Sequence, residues 1–366
     1  MNPLFWKDRK VFLTGHTGFK GSWLSLWLQI LGAKTTGYAL NPKTTPSIFE
    51  VAKVAQGMNS IIGDIRDGKA LVDCLNVHLP EIVIHLAAQP LVRQSYVDPL
   101  ETYSTNVMGT VNLLEAVRKT PSVRAVVIVT SDKCYENKEW EWGYRETEPM
   151  GGLDPYSSSK GCAELIVAAY RASFFNFNGF TNNYVGIATA RAGNVIGGGD
   201  WAQDRLVPDL LSAFQIGQPA IIRFPQSTRP WQHVIEPLNG YMLLAQKLYI
   251  DGPSYANSWN FGPSEEESCK VQWIADKFTQ LWGNGAKWID ATSGTNPHEA
   301  IKLKLDSSRA KHALGWKPKW SLNQAIENIV MWHKGYIAGN DMRAMTIRQI
   351  EEYSISKPEN SVGFHI

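Results

Sequence analysis

Residues 10–21 read KVFLTGHTGFKG, a short apolar run that leads directly into three glycines spaced three apart. The run has the composition of a buried strand, and the strongly apolar stretch 21–31 predicts a helix closed by Gly32. Glycine lets the backbone turn sharply and approach a phosphate closely, while a helix start offers free N–H groups and a positive dipole end. Strand, glycine turn and helix in this order predict the phosphate-binding turn of a dinucleotide site, although three glycines can also form an ordinary turn.

The alternation of apolar runs and amphipathic stretches continues through the first half of the chain. It predicts strands at 33–39, 81–86, 125–130 and 186–191, and helices at 106–119 and 156–175. We expect an α/β fold built on a Rossmann-type, doubly wound parallel sheet, with a smaller mixed α/β C-terminal substrate-binding region.

The character of the sequence changes at about residue 193, where longer segments rich in glycine, proline and tryptophan begin. We therefore predict a dinucleotide-binding Rossmann domain at 1–192, to which segments at about 229–262 return. The remaining predicted parts are a substrate-binding region at 193–228 and 263–354, and a polar tail at 355–366.

The composition excludes several classes of function. The chain has 366 residues and a formal net charge of only +2, which gives no reason to expect a nucleic-acid partner or a membrane surface. No apolar run reaches a bilayer span, and the first residues lack the basic-then-apolar pattern of a secretion signal. The four cysteines stand apart without a CxxC pair, as is typical of free thiols in a reducing compartment. We therefore predict a cytoplasmic protein.

The end of the predicted second strand should hold the cofactor's ribose contact, because an acid is expected there about twenty residues beyond the glycines. Residues 37–43 contain no carboxylate. Asn41 could hydrogen-bond a ribose hydroxyl and Lys43 could face a 2′-phosphate, so these residues leave NAD and NADP open. Asp64 is suited to accept from an adenine amino group, although an aspartate there is more often a turn or cap residue.

A tyrosine and a lysine are spaced four apart in the run YSSSK, at residues 156–160. On a helix, such residues share a face, so Lys160 can lie beneath Tyr156. A nearby ammonium favours phenolate and would draw the pKa of Tyr156 down toward the working range of a general base. The alternative is an ordinary surface helix pair.

Ser131, Asp132 and Lys133 follow a predicted strand directly, at the sheet edge where doubly wound folds bind ligands. Ser131 could hydrogen-bond a substrate hydroxyl beside Tyr156, while Asp132 and Lys133 supply an acid and a potential base. In isolation, a polar loop with a self-satisfied Asp–Lys pair would be the favoured interpretation.

Arg229 and His85 are two further polar features of the sequence. Arg229 could clamp a diphosphate with two hydrogen bonds, and a surface arginine is the competing interpretation. His85 is more often a satisfied core residue than a catalyst. The other histidines lack metal-ligand spacing, so we predict no metal site.

The motifs of the chain, taken together, resemble the extended short-chain dehydrogenase/reductase family and, within it, the nucleotide-sugar 4,6-dehydratases. The motifs lie in family order and are TGHTGFKG (14–21), DIR (64–66), HLAAQ (85–89), NVMGTVNLLEA (106–116), YSSSK (156–160) and LGWKP (314–318). The runs that look most like the subgroup acting on CDP-glucose are TSDKCYENKEWEWGYRE (130–146), ARAGNVIGGGDWAQDRLVPD (190–209) and RPWQHV (229–234).

The resemblance implies a lyase of deoxysugar biosynthesis for surface polysaccharide, with CDP-glucose as substrate and NAD as cofactor. Tyr156 would deprotonate the sugar 4-hydroxyl while hydride leaves for NAD⁺, with Lys160 and Ser131 assisting. The C4 ketone acidifies the C5 proton, Asp132 would protonate the departing 6-hydroxyl, and hydride would return to C6. A 4-epimerase of the same family and a catalytically lapsed nucleotide-binding scaffold are the alternatives.

The resemblance also implies which residues contact the ligands. Expected cofactor contacts are Gly15, His16, Thr17, Gly18, Phe19, Gly21, Asn41, Asp64, Ile65, Leu86, Ala87, Ala88, Thr105, Tyr156 and Lys160. Expected substrate contacts are Gln89, Arg93, Asn194, Arg205 and Arg229. Family members usually pair through two helices per subunit, which predicts a homo-oligomer with a four-helix interface built from 106–119 and 156–175.

One departure from the family pattern affects the mechanism. Dehydratases that act on dTDP-glucose carry Asp-Glu where this chain has Asp132-Lys133, and their glutamate is the C5 base. A lysine is ordinarily an ammonium and a poor base. Either Lys133 has a depressed pKa, or it stabilises the enolate while another group takes the proton. The CDP-glucose subgroup shares this lysine, so the substitution supports that substrate.

Overall fold

The computed structural model describes residues 2–175, 184–264, 267–292 and 302–357, which leaves most of the predicted tail outside the described residues. Its strands are β1 Lys10–Thr14, β2 Lys34–Ala39, β3 Asn59–Ile62, β4 Ile82–His85, β5 Ala125–Val129, β6 Gly186–Ala192, β7 Val195–Ile196, β8 Ala220–Ile222, β9 Thr228–Pro230, β10 Gln232–His233, β11 Ser258–Phe261, β12 Ser268–Lys270 and β13 Trp288–Asp290. Its α-helices are α1 Pro3–Trp6, α2 Phe19–Ile30, α3 Ile48–Val51, α4 Gly68–His78, α5 Val92–Val97, α6 Pro99–Tyr103, α7 Gly109–Arg118, α8 Pro155–Phe174, α9 Leu206–Gln215, α10 Ile235–Tyr255, α11 Val271–Trp282, α12 Leu322–Ile337 and α13 Met342–Ile355.

A parallel sheet of seven strands forms the centre of the described residues, in the order β11-β6-β5-β4-β1-β2-β3. The order reverses beside β1, and helices cover both faces, as in a doubly wound Rossmann sheet. The predicted fold class is therefore confirmed.

The two faces of the sheet explain why its central strands read as continuous apolar runs. In β5, Val126 and Ile128 pack in the cluster formed with α4, α7 and α8. Val127 and Val129 point the other way, into the cluster formed with α2 and α10. Every residue of β5 is buried, because a parallel sheet with helices on both sides leaves neither face to solvent.

A segment late in the chain adds to the sheet. Strand β11 pairs in parallel with β6, and α10 packs across β5 and β6. Smaller strand pairs lie outside the central sheet, namely β7 with β10, β8 with β13 and β9 with β12. A third apolar cluster joins α9, α11 and α12 beside them. None of the described helices has the length and apolar character needed to cross a membrane.

A buried ion pair joins α8 to the sheet. The Glu164 carboxylate accepts from Arg191 of β6 at 2.9 Å (Nε) and 2.7 Å (Nη2), and both side chains are 3% exposed. Thr130 and Thr189 donate to the same carboxylate at 2.5 and 2.7 Å. The Arg191 guanidinium also donates to the Tyr135 hydroxyl at 2.7 Å. Because α8 carries the YSSSK run, this network fixes that run relative to the ends of β5 and β6.

We predict that Glu164→Gln lowers the free energy of unfolding by about 3 kcal/mol, because it leaves the Arg191 charge buried without its counter-ion. Urea unfolding measures the change. The control is Glu115→Gln, which removes an exposed pair with Arg118 and should cost less than about 1 kcal/mol. Equal losses in the two variants would contradict the importance of the buried pair.

Candidate active site

A cavity of about 550 Å³ runs along the carboxyl ends of the parallel strands. Its walls come from the glycine turn, the ends of β4 and β5, the start of α8, the segment 192–210 and strand β8. This is the edge at which doubly wound folds bind their ligands.

The three glycines of the turn have three separate structural tasks. Gly15 has a φ of +76°, and a Cβ there would lie 2.7 Å from the Ala87 nitrogen at the end of β4. A Cβ on Gly21 would lie 2.1 Å from the Gly15 oxygen, so α2 packs directly on the turn. Gly18 is the N-cap of α2 and brings no capping side chain, which leaves the helix start open to the cavity. Bare backbone N–H groups at a helix start suit a pyrophosphate.

Most of the predicted cofactor contacts line this cavity. They are Gly15, Thr17, Gly18, Phe19, Gly21, Asn41, Asp64, Ile65, Leu86, Ala87, Ala88, Thr105, Tyr156 and Lys160. His16 does not: its ring is buried behind the turn, with Nε2 2.7 Å from the Ser60 hydroxyl, and packs against Gly37. Burial lowers the pKa of His16 to about 4, so the ring is neutral. His16 therefore ties the turn to β2 and β3.

Two charged pairs lie in the part of the cavity next to β2 and β3. Arg66 donates to the Asp64 carboxylate at 2.9 Å (Nε) and 2.5 Å (Nη2), and these hydrogen bonds hold the pKa of Asp64 below its usual range. Lys43 forms an ion pair with Glu101 at 3.3 Å. Asp64 is thus an ionised acceptor, and the charge of Lys43 is offset by its partner.

The predicted acid–base residues Ser131, Asp132, Lys133, Tyr156 and Lys160 all line the same cavity. Asp132 is 3% exposed and its Oδ1 accepts from the Ser131 hydroxyl at 3.0 Å. Its other oxygen, Oδ2, is buried and has no hydrogen-bond partner among the described residues. Burial raises the pKa of Asp132, and the charge of Lys133 offsets only part of that rise. A carboxyl group that tends to keep its proton is suited to act as an acid.

Tyr156 differs from its sequence-based expectation. Burial raises the pKa of its phenol to about 12, and the Ser131 side chain only partly offsets this rise. The Lys160 ammonium is turned toward the Val129 carbonyl oxygen, at 3.5 Å, and burial lowers the pKa of Lys160 to about 8. The expectation that the nearby Lys160 ammonium draws the phenol pKa down is wrong, because burial of the phenol raises that pKa instead.

The predicted substrate contacts Arg93, Asn194, Arg205 and Arg229 line the cavity, but Gln89 does not. Arg229 is 4% exposed, which excludes a surface arginine. The Gln89 amide donates to Leu91 O at 3.0 Å and to the Thr102 hydroxyl at 2.9 Å. Its carbonyl oxygen accepts from the Leu91 N–H at 2.6 Å. Gln89 therefore shapes the loop after β4.

His85 is a satisfied core residue, as the sequence predicts. It is 2% exposed, and its Nδ1 lies 2.7 Å from the Thr14 hydroxyl. The same hydroxyl accepts from the backbone N–H groups of Leu86 and Ala87, each at 3.2 Å. These contacts hold the end of β4 against the end of β1.

Sequence reasoning missed several charged residues of the cavity. Lys20, in the first turn of α2, lines it, and burial lowers the pKa of Lys20 to about 8. Asp200 also lines the cavity and forms an ion pair at 2.9 Å with Arg205, which the sequence did predict. A signal for Lys20 was present, since an ammonium is disfavoured at a helix start and calls for an anionic neighbour.

Asp204, another residue that the sequence did not reveal, connects two arginines at the cavity rim. Its Oδ1 lies 3.5 Å from Arg93 of α5 and 3.1 Å from Arg223 after β8. The carboxylate thereby joins the Rossmann side of the cavity to the C-terminal side.

Comparison with known proteins places this geometry in a family. Residues 12–329 match the family model described as GDP-mannose 4,6 dehydratase. The chain belongs to this family. It is 56% identical over 350 residues to a CDP-glucose 4,6-dehydratase of Salmonella typhimurium, with 95% of this chain and 97% of the relative covered.

Solved structures of the dehydratase and epimerase type share the fold at low identity. A dTDP-glucose 4,6-dehydratase from Bacillus anthracis, in complex with NAD, has a TM-score of 0.73 and 20% identity over 92% of this chain and 100% of that one. A UDP-glucose 4-epimerase from Thermotoga maritima, with UDP-glucose, has a TM-score of 0.76 and 19% identity over 90% of this chain and 99% of that one.

For this member of the dehydratase family we predict that Gly21→Ala weakens NAD binding by at least about tenfold, because backbone atoms must move where the new Cβ meets the Gly15 carbonyl. Titration with NAD, followed by tryptophan fluorescence, measures the affinity. Gly217→Ala is the control: its φ of +69° also disfavours alanine, but nothing lies within 4 Å of the new Cβ. Unchanged NAD affinity in Gly21→Ala would rule out the close approach as a requirement.

Proposed function

We propose that this protein is a CDP-glucose 4,6-dehydratase, a lyase that converts CDP-D-glucose to CDP-4-dehydro-6-deoxy-D-glucose and water. The observation that carries the proposal is the buried Asp132 carboxyl in the same cavity as Tyr156 and the glycine turn. The 56% identity to a CDP-glucose 4,6-dehydratase over nearly the whole chain supports the same reaction and substrate. A 4-epimerase needs no acid for elimination, and a lapsed scaffold has no use for an intact Ser131–Tyr156–Lys160 set.

The cofactor is NAD, and the residues present fit it. A Cβ at Gly15 would meet the Ala87 backbone and one at Gly21 the Gly15 carbonyl, so glycine lets the turn pack tightly, and the uncapped start of α2 suits a pyrophosphate. Asp64 is ionised and suited to an adenine amino group. Glu101 already neutralises Lys43, which removes the cation that a 2′-phosphate would need.

The mechanism assigns one task to each side chain. The residues of the glycine turn, with Asp64 and Lys160, would hold NAD, and the bound cofactor would supply the hydride acceptor for C4, the hydride donor for C6 and a positive charge that favours the Tyr156 phenolate. Tyr156 takes the proton of the sugar 4-hydroxyl, and Ser131 hydrogen-bonds that hydroxyl. The C4 ketone makes the C5 proton acidic.

Elimination then depends on Asp132 and Lys133. Lys133 would take the C5 proton as negative charge spreads over the enolate, its new positive charge would stabilise that enolate, and it would return the proton to C5 when hydride reaches C6. Asp132 gives its proton to O6, the C6–O6 bond breaks and water departs. Arg229 and Asn194 would hold the diphosphate of the substrate, with Arg205 and Arg93 nearby in the cavity wall.

The reaction is tested by the mass of the product. Incubation of the protein and NAD with CDP-glucose should yield a product lighter by one water, whereas dTDP-, UDP- and GDP-glucose should react at least about tenfold more slowly. A product of unchanged mass would indicate an epimerase, and no turnover of any nucleotide sugar would indicate a scaffold.

Two variants assign the roles within this reaction. Tyr156→Phe should lose roughly a hundredfold or more in kcat with NAD affinity nearly unchanged. Asp132→Asn should still reduce NAD by oxidation at C4 but release water roughly a hundredfold more slowly. The control, Asp73→Asn on the exposed side of α4, should behave as the wild type. A fully active Asp132→Asn would disprove the assignment of the acid.

We further propose a homo-oligomer with a four-helix interface, and a cytoplasmic location. Exposed apolar side chains on α6, α8 and the turn before α7 support the interface; they are Leu100 (81% exposed), Leu165 (61%) and Met108 (52%). The helices α6 and α8 pack against each other, so these side chains belong to neighbouring elements.

The four free cysteines suit a reducing compartment, which supports the cytoplasmic location. The product would supply a surface polysaccharide such as the lipopolysaccharide O-antigen.

The interface predicts that Leu165→Arg converts the oligomer to a monomer, because an unpaired cation would be buried between subunits. Light scattering on a sizing column measures the mass in solution. Val77→Arg on α4 is the matched control, since Val77 is 74% exposed and lies outside the proposed helices. An oligomer that survives Leu165→Arg would place the interface elsewhere.

A further inference from the structure

Helix α10 carries a buried tyrosine that the mechanism does not use. Tyr241 of α10 is 0% exposed, and its hydroxyl has no hydrogen-bond partner among the described residues. Enclosing a hydroxyl without a partner is unfavourable, because the group loses the hydrogen bonds that water would give it. A buried phenol that bears this cost needs an explanation, since a phenylalanine would avoid it.

The surroundings of Tyr241 point to Asp132. Helix α10 packs across β5 and β6, and the Tyr241 ring meets the Phe261 ring edge-on, with centroids 5.6 Å apart, at the carboxyl end of β11. Asp132 follows β5 at this same edge of the sheet. The groups whose charges act on the Tyr241 phenol are Asp132 and Tyr156.

Asp132 and Gln232 each present an enclosed oxygen without a partner in the described part of the chain. The atoms are Asp132 Oδ2 and Gln232 Oε1. The Gln232 amide nitrogen donates to the Phe261 carbonyl at 2.7 Å, which sets this side chain beside the residue that packs on Tyr241. A buried water typically has about three polar partners, and a water shared by this hydroxyl and these two oxygens would have that number.

We propose that Tyr241 is a positioning residue for the acid: across one buried water shared with Gln232, its hydroxyl hydrogen-bonds the Asp132 carboxyl. This inference rests on the proposed dehydratase reaction. When Asp132 gives its proton to the departing O6, the carboxylate left behind gains a water-mediated hydrogen bond from Tyr241. When Asp132 is protonated, the same hydroxyl can rotate and accept, because a phenol both donates and accepts.

The protonation of Tyr241 suits this task. Burial raises the pKa of Tyr241 far above its usual range, so the group remains an O–H throughout the working pH range. The other charged groups that act on Asp132 are Lys133, Arg229 and Lys20, and all three favour its ionised form. They come from the loop after β5, from β9 and from α2, whereas Tyr241 comes from α10, which packs on the same face of the sheet as α2.

The test compares wild type, Tyr241→Phe, Asp132→Asn and the double variant, each as the NAD-bound protein with CDP-glucose in single turnover. In Tyr241→Phe, oxidation at C4 should stay within about twofold, and water loss should slow about tenfold because the carboxylate lacks a hydrogen bond. Loss of that bond raises the pKa of Asp132, so the fall in elimination rate at high pH should move up by about one pH unit.

The double variant separates an action through Asp132 from general damage. If Tyr241 acts through the carboxyl, Tyr241→Phe adds no further slowing once Asp132 is asparagine. Tyr353→Phe is the matched control, because Tyr353 is also fully buried and its hydroxyl donates to Glu236 at 2.7 Å. This variant should be less stable, but the pH at which its elimination rate falls should be that of the wild type.

Additive losses in the double variant, or an unmoved pH limb in Tyr241→Phe, would overturn the inference. Failure of the reaction itself has a different outcome. If the wild type releases no water from CDP-glucose, the proposed function is wrong. If the wild type eliminates water and Tyr241→Phe equals it in rate and pH limb, only the role of Tyr241 is wrong.

Discussion

The enclosure of the Asp132 carboxyl is the constraint on which the site depends. A carboxyl at the end of β5 with 3% exposure pays a desolvation penalty whenever it ionises, and so it tends to hold a proton. Gly193 permits this enclosure, since a Cβ there would lie 3.1 Å from Asp132 Oδ2 and 2.4 Å from Pro230. The cations around the carboxyl limit the rise in its pKa, so the proton stays available for transfer.

The rest of the fold serves to bring a phenol and a cofactor to that carboxyl. The sheet order places the glycine turn and the end of β5 on the same edge, separated only by β4. The Glu164–Arg191 pair fixes α8, and the Asp154 side chain caps the helix start, accepting from the Ser157 N–H at 2.9 Å one residue beyond Tyr156. Local caps and one buried ion pair thus determine where the reacting phenol lies.

The sequence sufficed for the features that depend on local physics. Buried parallel strands appear as apolar runs, and glycine spacing indicates turn geometry. The sheet and the strand–turn–helix geometry of the glycine turn were therefore predicted correctly. Side-chain direction was less accessible: His16 and Gln89 stand inside recognisable motifs but point into the protein, where Ser60 and Thr102 bind them. Those partners are 44 and 13 residues away, and no periodicity reports such contacts. The pKa of Tyr156 was mispredicted for a similar reason, because a helical spacing of four says nothing about burial.

In the proposed substrate complex, the charged pairs in the cavity wall would let a diphosphate bind without ordering long side chains anew. Asp204 forms ion pairs with Arg93 and Arg223, and Asp200 forms one with Arg205. Fixing a flexible arginine on binding costs about 0.5–1.5 kcal/mol of side-chain entropy. Because folding has already met this cost, more of the phosphate interaction energy is left for binding and for orienting the sugar toward Asp132.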